Sequence, residues 1–496
     1  MRPVVRPGSR LAYLALVSTL ACALACAASS TGPVHAPGDL VFPEGFQWGV
    51  AMSAFQTEGH VENDWTDWAA AGKAPLLGDA CDSWNRWPED VQLAADLGVK
   101  VFRMSIEWAR IEPQEGAFDE AAIAHYRDVL TAVRKAGMEP LVTLHHFTNP
   151  RWVAAAGGWA DPRIVDSFKA YAAFVGQRLG DLVDQWNPQN ESMVYITGLS
   201  LVNTFPGGQI FDLDLFHRMF RHTVFANAAA VDALRASDTK DADGDGKPVV
   251  AWLVHATSPT YPADPESPDD VTAAANWDYL YNLTFVNALV KGELDLDFDR
   301  KIDPTVDISG LHEGVFDELK GRVDLLGINY YARNFVVSSP GLIPNVDALP
   351  CVNGMCGTLG PVVGDNGNEV YPPGLYRALK EFAPFGLPLT VSENGVADAA
   401  DTLRPAFLVQ HLAQVHRAIA EGIDVRGYLH WSLLDNYEWA SGYTMKFGLV
   451  AVDFATQART PRPSFALYRD IVTANAVPKT ALDRWTLDGI VAAPGD

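Results

Sequence analysis

Ala121–His146 reads A-A-I-A-H-Y-R-D-V-L-T-A-V-R-K-A-G-M-E-P-L-V-T-L-H-H. Its first sixteen residues carry apolar side chains at helical spacing and stop at Gly137, a residue suited to the left-handed turn that ends a helix. Pro140 to His146 then forms a mostly apolar run, broken by Thr143, with two His at its end. A helix followed by a strand buried on both faces is half of a parallel βα repeat. The same alternation continues on both sides. Strands are expected at Phe46–Ala54, Val99–Ile106, Pro140–His146 and Leu182–Glu191, then at Val249–Ala256, Val323–Tyr331, Leu387–Glu393 and Arg426–Leu434. Helices are expected at Arg163–Leu179, opened by Asp161-Pro162, and at Phe407–Ala420, which stops at Gly422. Eight such units fit a closed (β/α)8 TIM barrel, an α/β fold, with elaborated βα loops.

That reading requires functional side chains at the C-terminal ends of the strands. Gln56 follows the first run, Arg103 ends the second and His145-His146 end the third. Asn190-Glu191 end the fourth, Asn329-Tyr330-Tyr331 the sixth and Glu393-Asn394 the seventh. Trp431 lies in the eighth, with Glu438-Trp439 beyond it. Packing alone does not put unrelated polar residues at one end of so many strands. Two of them, Glu191 and Glu393, are carboxyls on nearly opposite strands. Two carboxyls about 5–5.5 Å apart cleave a glycosidic bond with retention, one as acid/base and one as nucleophile. Their pKa values must differ, so their neighbours must differ. Arg103 and Tyr331 are available to one; Asn190 is adjacent to the other. Trp431 and Trp439 offer apolar faces to a pyranose.

At these residues the chain resembles glycoside hydrolase family 1. The strings are F-Q-W-G-V-A-M-S-A-F-Q-T-E-G, V-F-R-M-S-I-E-W-A-R-I, L-H-H-F, W-N-P-Q-N-E-S, G-I-N-Y-Y, V-S-E-N-G and G-Y-L-H-W-S-L-L-D-N-Y-E-W-A-S-G-Y, in that order. The resemblance implies Glu191 as acid/base and Glu393 as nucleophile. It implies Arg103, Asn329 and Tyr331 as supports of the nucleophile and its surroundings. Gln56, His146, Asn190, Glu438 and Trp439 would bind sugar hydroxyls, over a floor made by Trp431. The implied activity is a retaining β-glycosidase on unphosphorylated sugars, with β-glucosidase first and β-galactosidase or β-fucosidase beside it, and no cofactor. A transglycosylase using the same residues and an inactive carbohydrate-binding lipoprotein are the alternatives. Ser192 departs from the family's Pro after the acid/base, Phe147 from a Trp, and Asn368 from a Trp that lines the leaving-group side. Glu107 is read as a salt-bridged loop residue and His145 as structural.

The composition narrows the partners. A net charge of −24 excludes nucleic acid and anionic membrane surfaces as partners, because both need clustered cations. Forty-eight per cent hydrophobic residues and 20% charged ones are globular values, and 496 residues can bury a large core. A small-molecule carbohydrate is the expected partner, and 14 Trp suit it.

Residues 1–25 read as an export signal, with Arg2, Arg6 and Arg10 ahead of an apolar stretch too short to span a membrane. Cys26 sits where bacterial lipoproteins carry a lipid, although Ala23 replaces the usual Leu, so a lipid anchor and plain secretion both stand. Residues 26–40 are expected as a linker, 41–475 as the barrel and 476–496 as a tail, in an extracytoplasmic protein. In that setting Cys351 and Cys356 are expected to form a local disulfide. Asp241, Asp243 and Asp245 match the first half of a calcium loop, but Trp252 stands where its Glu would be, so no metal is expected beyond that weak candidate.

Overall fold

A computed structural model describes residue 1 and residues 35–351, 355–356, 360–493 and 496. Residues 2–34, which hold the export-like segment and Cys26, lie outside the described residues.

The eight expected strands form: β1 (Gln47–Ala51), β2 (Val101–Ser105), β3 (Glu139–His145), β4 (Gln185–Gln189), β5 (Val250–Thr257), β6 (Leu325–Tyr330), β7 (Leu389–Asn394) and β8 (Val425–Trp431). Each pairs in parallel with the next, and β8 pairs with β1, which closes the barrel. In-register contacts such as Val50 with Phe102 and Leu326 with Leu253 keep the strand ends level. The side chains that follow them therefore collect at one mouth.

The outer ring includes α1 (Ser83–Leu97), α2 (Glu120–Lys135), α3 (Ile164–Leu179), α4 (Ser192–Ser200) and α5 (Leu213–Ser237). Around the second half come α6 (Pro268–Asp278), α7 (Thr284–Lys291), α8 (Pro372–Phe382), α9 (Arg404–Ala420) and α10 (Pro463–Ala474). In α2 the Asp119 carboxylate accepts from the Ala121 and Ala122 N–H groups, while Ile123, Tyr126, Leu130 and Val133 face inward. Gly137 follows its end at φ 76°, the left-handed conformation glycine adopts without a Cβ clash. The Asp161-Pro162 opening differs from expectation. The helix begins at Ile164, and Asp161 accepts from the Arg163 N–H in the turn before it. Among the described residues no helix is long and apolar enough to cross a membrane.

Leu40–Val41 pairs antiparallel with Ala476–Val477, so residues 476–496 do not simply trail. A short helix, Lys479–Arg484, follows, and Asp496 accepts from the Tyr261 hydroxyl at 2.5 Å. Cys351 and Cys356 form the expected disulfide. Cys81 is free and buried.

Candidate active site

One cavity of about 320 Å³ opens at the C-terminal mouth of the barrel. Gln56, His146, Asn190, Glu191, Tyr331, Glu393, Trp431, Glu438 and Trp439 line it. Arg103 and Asn329, the other two residues picked out in the sequence, stand behind its wall and act through their neighbours.

The two carboxyls have opposite surroundings. Glu393, on β7, is paired with the buried Arg103 guanidinium and accepts from the Tyr331 hydroxyl at 2.7 Å. Both contacts donate to a carboxylate, and an ionised partner makes the stronger of such bonds. Glu191 touches no cation. It accepts from the Asn329 amide at 2.7 Å, and burial, with Glu393 nearby, pushes its carboxyl up to about 8. Desolvation disfavours the charged form and a neighbouring like charge adds to it. Ser392, next to the nucleophile candidate, donates to Asn329 Oδ1 at 2.7 Å and so turns the amide N–H toward Glu191.

The backbone explains part of this placement. Glu191 has φ 49° and ψ 53°, a left-handed conformation rare outside glycine, and its N–H is held by the Val254 carbonyl. A proline at 192 would favour extended backbone at 191, so Ser192 leaves open the conformation observed. Phe147 and Trp439 also have positive φ, 72° and 50°. Such residues gather where a site fixes side chains against local preference. Gly395 ends the V-S-E-N-G string because a Cβ there would lie 1.9 Å from the Trp431 carbonyl oxygen.

The walls are ordered by their own contacts. Asn190 accepts from Arg103 at 2.5 Å and lies 3.4 Å from His146 Nε2. Burial and Arg103 drive the His146 pKa far down, so the ring is neutral. Trp431 and Trp439 each lie nearly parallel to His146, with centroids 6.0 and 5.9 Å away. Trp431 Nε1 approaches Glu438 at 3.3 Å. Gln56 sits deep, its amide donating to the Tyr437 carbonyl at 2.9 Å. Burial pushes Glu438 up to about 8, against the bond it accepts from Trp431. Among the described residues, no Lys or Arg lines the cavity.

Asn368 does line the cavity, beside Asn366. Among the described residues, neither disulfide cysteine does. Sequence reading missed Asn366, Val194, Thr204, Phe205 and Phe447, which lie in loops or on a helix without periodicity that marks a site. Ser392 sits inside the V-S-E-N-G string, where nothing in the pattern singles it out. His145 points elsewhere, onto Asn149 at 3.2 Å. Glu107 makes no expected salt bridge. It accepts from Thr148 and Asn63 in a buried spot, and Arg110 pairs with Glu58 instead.

Asp241, Asp243 and Asp245 converge at the opposite end of the barrel, just before β5, with carboxylate oxygens within 4.8 Å of one another. Asp241 accepts from the Gly244 and Gly246 N–H groups, at 2.7 and 2.8 Å, which is the bonding of a tight Asp/Gly turn.

The Glycosyl hydrolase family 1 model matches residues 39–477, most of the chain and the whole barrel. This chain belongs to glycosyl hydrolase family 1. A β-galactosidase from Pyrococcus woesei is 32% identical over 88% of the chain and 98% of its own length. Beta-glucosidase A of Thermotoga maritima is also 32% identical, over 88% and 98%. A β-glycosidase structure from Pyrococcus horikoshii superposes with a TM-score of 0.81 at 31% identity, covering 90% of this chain and 99% of that one. The chain is thus an O-glycosyl hydrolase on a TIM barrel, and as a family 1 enzyme it takes small-molecule carbohydrate.

Proposed function

We propose that the protein is a retaining β-glycosidase acting on unphosphorylated sugars by double displacement, with β-glucosides first among its substrates. The observation that carries this is the contrast between two carboxyls in one cavity: Glu393 takes donors from Arg103 and Tyr331, whereas Glu191 is buried, makes no ion pair and is raised to about 8. The pair matches the chemistry of a nucleophile and a proton donor.

In the first step a Glu393 oxygen bonds to the anomeric carbon, and the glycosidic C–O bond breaks. The Glu191 proton goes to the departing oxygen. In the second step water attacks the anomeric carbon, Glu191 takes a proton from that water, and the ester bond to Glu393 breaks. Two inversions give net retention, and both residues return to their starting states. His146, Asn190, Gln56 and Glu438 surround the place of the sugar hydroxyls, with Trp431 beneath. Export from the cytoplasm belongs to the same reading and rests on the basic and apolar start of the chain.

A panel of aryl β-glycosides (glucoside, galactoside, fucoside, mannoside, xyloside) ranks the glycone. Glu393→Ala is expected to lose about 10⁴-fold or more in kcat, since no ester can form. Azide should partly restore cleavage of an activated aryl glycoside and yield the α-glycosyl azide. Wild-type turnover in that variant removes Glu393 from the role.

A further inference from the structure

A second cavity, about 480 Å³, lies beside the catalytic one. The loop that follows α4 divides them. Thr204 and Phe205 line the catalytic cavity, and Pro206 and Gly207 line the second. Consecutive Cα atoms are about 3.8 Å apart, so one turn of backbone separates the two spaces at this point. Phe205 packs on Phe147 and Tyr195, with ring centroids 5.2 and 5.4 Å away. Phe147 lines the catalytic side and Tyr195 the far side.

The second cavity is mainly apolar. Trp68, Leu199, Pro206, Leu215 and Met219 make its walls. Its polar floor has its bonds filled internally. Asp64 accepts from the Trp65 N–H and from the Asn149 N–H and amide, at 2.9, 2.9 and 2.7 Å. Asn149 also donates to Tyr195 at 2.9 Å and accepts from Trp159 at 2.8 Å. A ligand there meets few free donors or acceptors and much apolar surface, which favours an aliphatic group over a sugar. The loop between the cavities is closed by a bridge between Val202 and Ile210, which are 55% and 69% exposed.

We propose that the second cavity is a distal leaving-group site, and that it takes the linear aliphatic chain of an amphiphilic β-glycoside. The sugar occupies the catalytic cavity, the chain crosses the loop at Phe205–Pro206, and its end lies among Leu199, Leu215 and Met219. This rests on the β-glycosidase reading and names a substrate class for it.

The test is a series of n-alkyl β-glycosides from methyl to decyl, each below its micelle-forming concentration, with a nitrophenyl glycoside as reference. A buried methylene contributes up to about fourfold in binding, so kcat/KM should climb about tenfold or more between butyl and decyl, mainly through KM. Leu199→Trp fills the cavity and should flatten the climb while the nitrophenyl reference stays within about twofold. Ala71→Trp, from an exposed position on the cavity rim, should do the same without disturbing the core. A flat series in a wild-type enzyme that cleaves the nitrophenyl and methyl glycosides overturns the proposal. So does a steep series that survives both substitutions. Failure of every glycoside, the nitrophenyl reference included, sinks the β-glycosidase reading itself.

Discussion

At the residue scale, Glu191 is set by what surrounds it. Desolvation is the largest cause of its raised pKa, and the Glu393 and Glu438 charges add to it. General acid catalysis needs its proton, so kcat/KM for a poor leaving group should fall as pH rises through about 8, approaching tenfold per pH unit. Glu438→Gln removes one of the neighbouring charges and should move that limb to lower pH without abolishing it. A limb that stays in place would assign the titration to another group. Glu191→Ala should slow alkyl glycosides far more than activated aryl glycosides, because only the former need the proton. Equal losses across leaving groups, measured by pre-steady-state kinetics, would leave Glu191 a structural part.

At the scale of elements, the wall that carries Asn366 and Asn368 is a short turn. Val363 bridges Glu369, Gly364 donates to the Asn368 carbonyl, and Arg333 holds the Glu369 carboxylate at 2.8 Å. This fixed frame presents Asn366 and Asn368 to the cavity. Asn368→Trp should therefore shift kcat/KM among leaving groups by a few-fold, about 1 kcal/mol of stacking, and leave the order of glycone sugars alone. Reordering of glucose against galactose would place Asn368 on the wrong side. Most strands and their terminal residues were legible in sequence because a strand buried on both faces is a largely apolar run with polar residues gathering toward the mouth, although β4 carries Gln185, Asn187 and Gln189 along its length. Phe205 and Asn366 were not legible: each reaches the cavity from a loop whose path depends on distant contacts. The pairing of Leu40–Val41 with Ala476–Val477 is two residues long, too short for any period to announce it.

For the whole molecule, charge and burial act together. Asp64 and Glu107 are raised to about 7, and Glu191 and Glu438 to about 8, by burial in each case. Unfolded carboxyls ionise near pH 4, so between there and pH 7–8 the folded chain keeps protons that the unfolded chain has released. Stability then falls as pH rises through that window, and mutual repulsion in a chain of net charge −24 works in the same direction. The melting temperature at pH 8 should lie below that at pH 5.5 by on the order of 5 °C at equal ionic strength. Calorimetry giving a flat or rising profile would mean these acids are compensated elsewhere.

The junction of Leu40–Val41 with Ala476–Val477 also sets how the molecule would hang. Trp48, in β1, donates to the Asn475 side chain at 2.8 Å, which ties this junction to the end of the barrel where strands begin. The catalytic mouth is at the other end. A tether joined ahead of residue 35, whether a lipid, a bead or a fused partner, would therefore leave the mouth facing outward. An enzyme held this way on a surface would collect its substrates from the surrounding fluid and not from the layer that holds it. Surface plasmon experiments or immobilised reactors should accordingly be anchored through the N-terminal side.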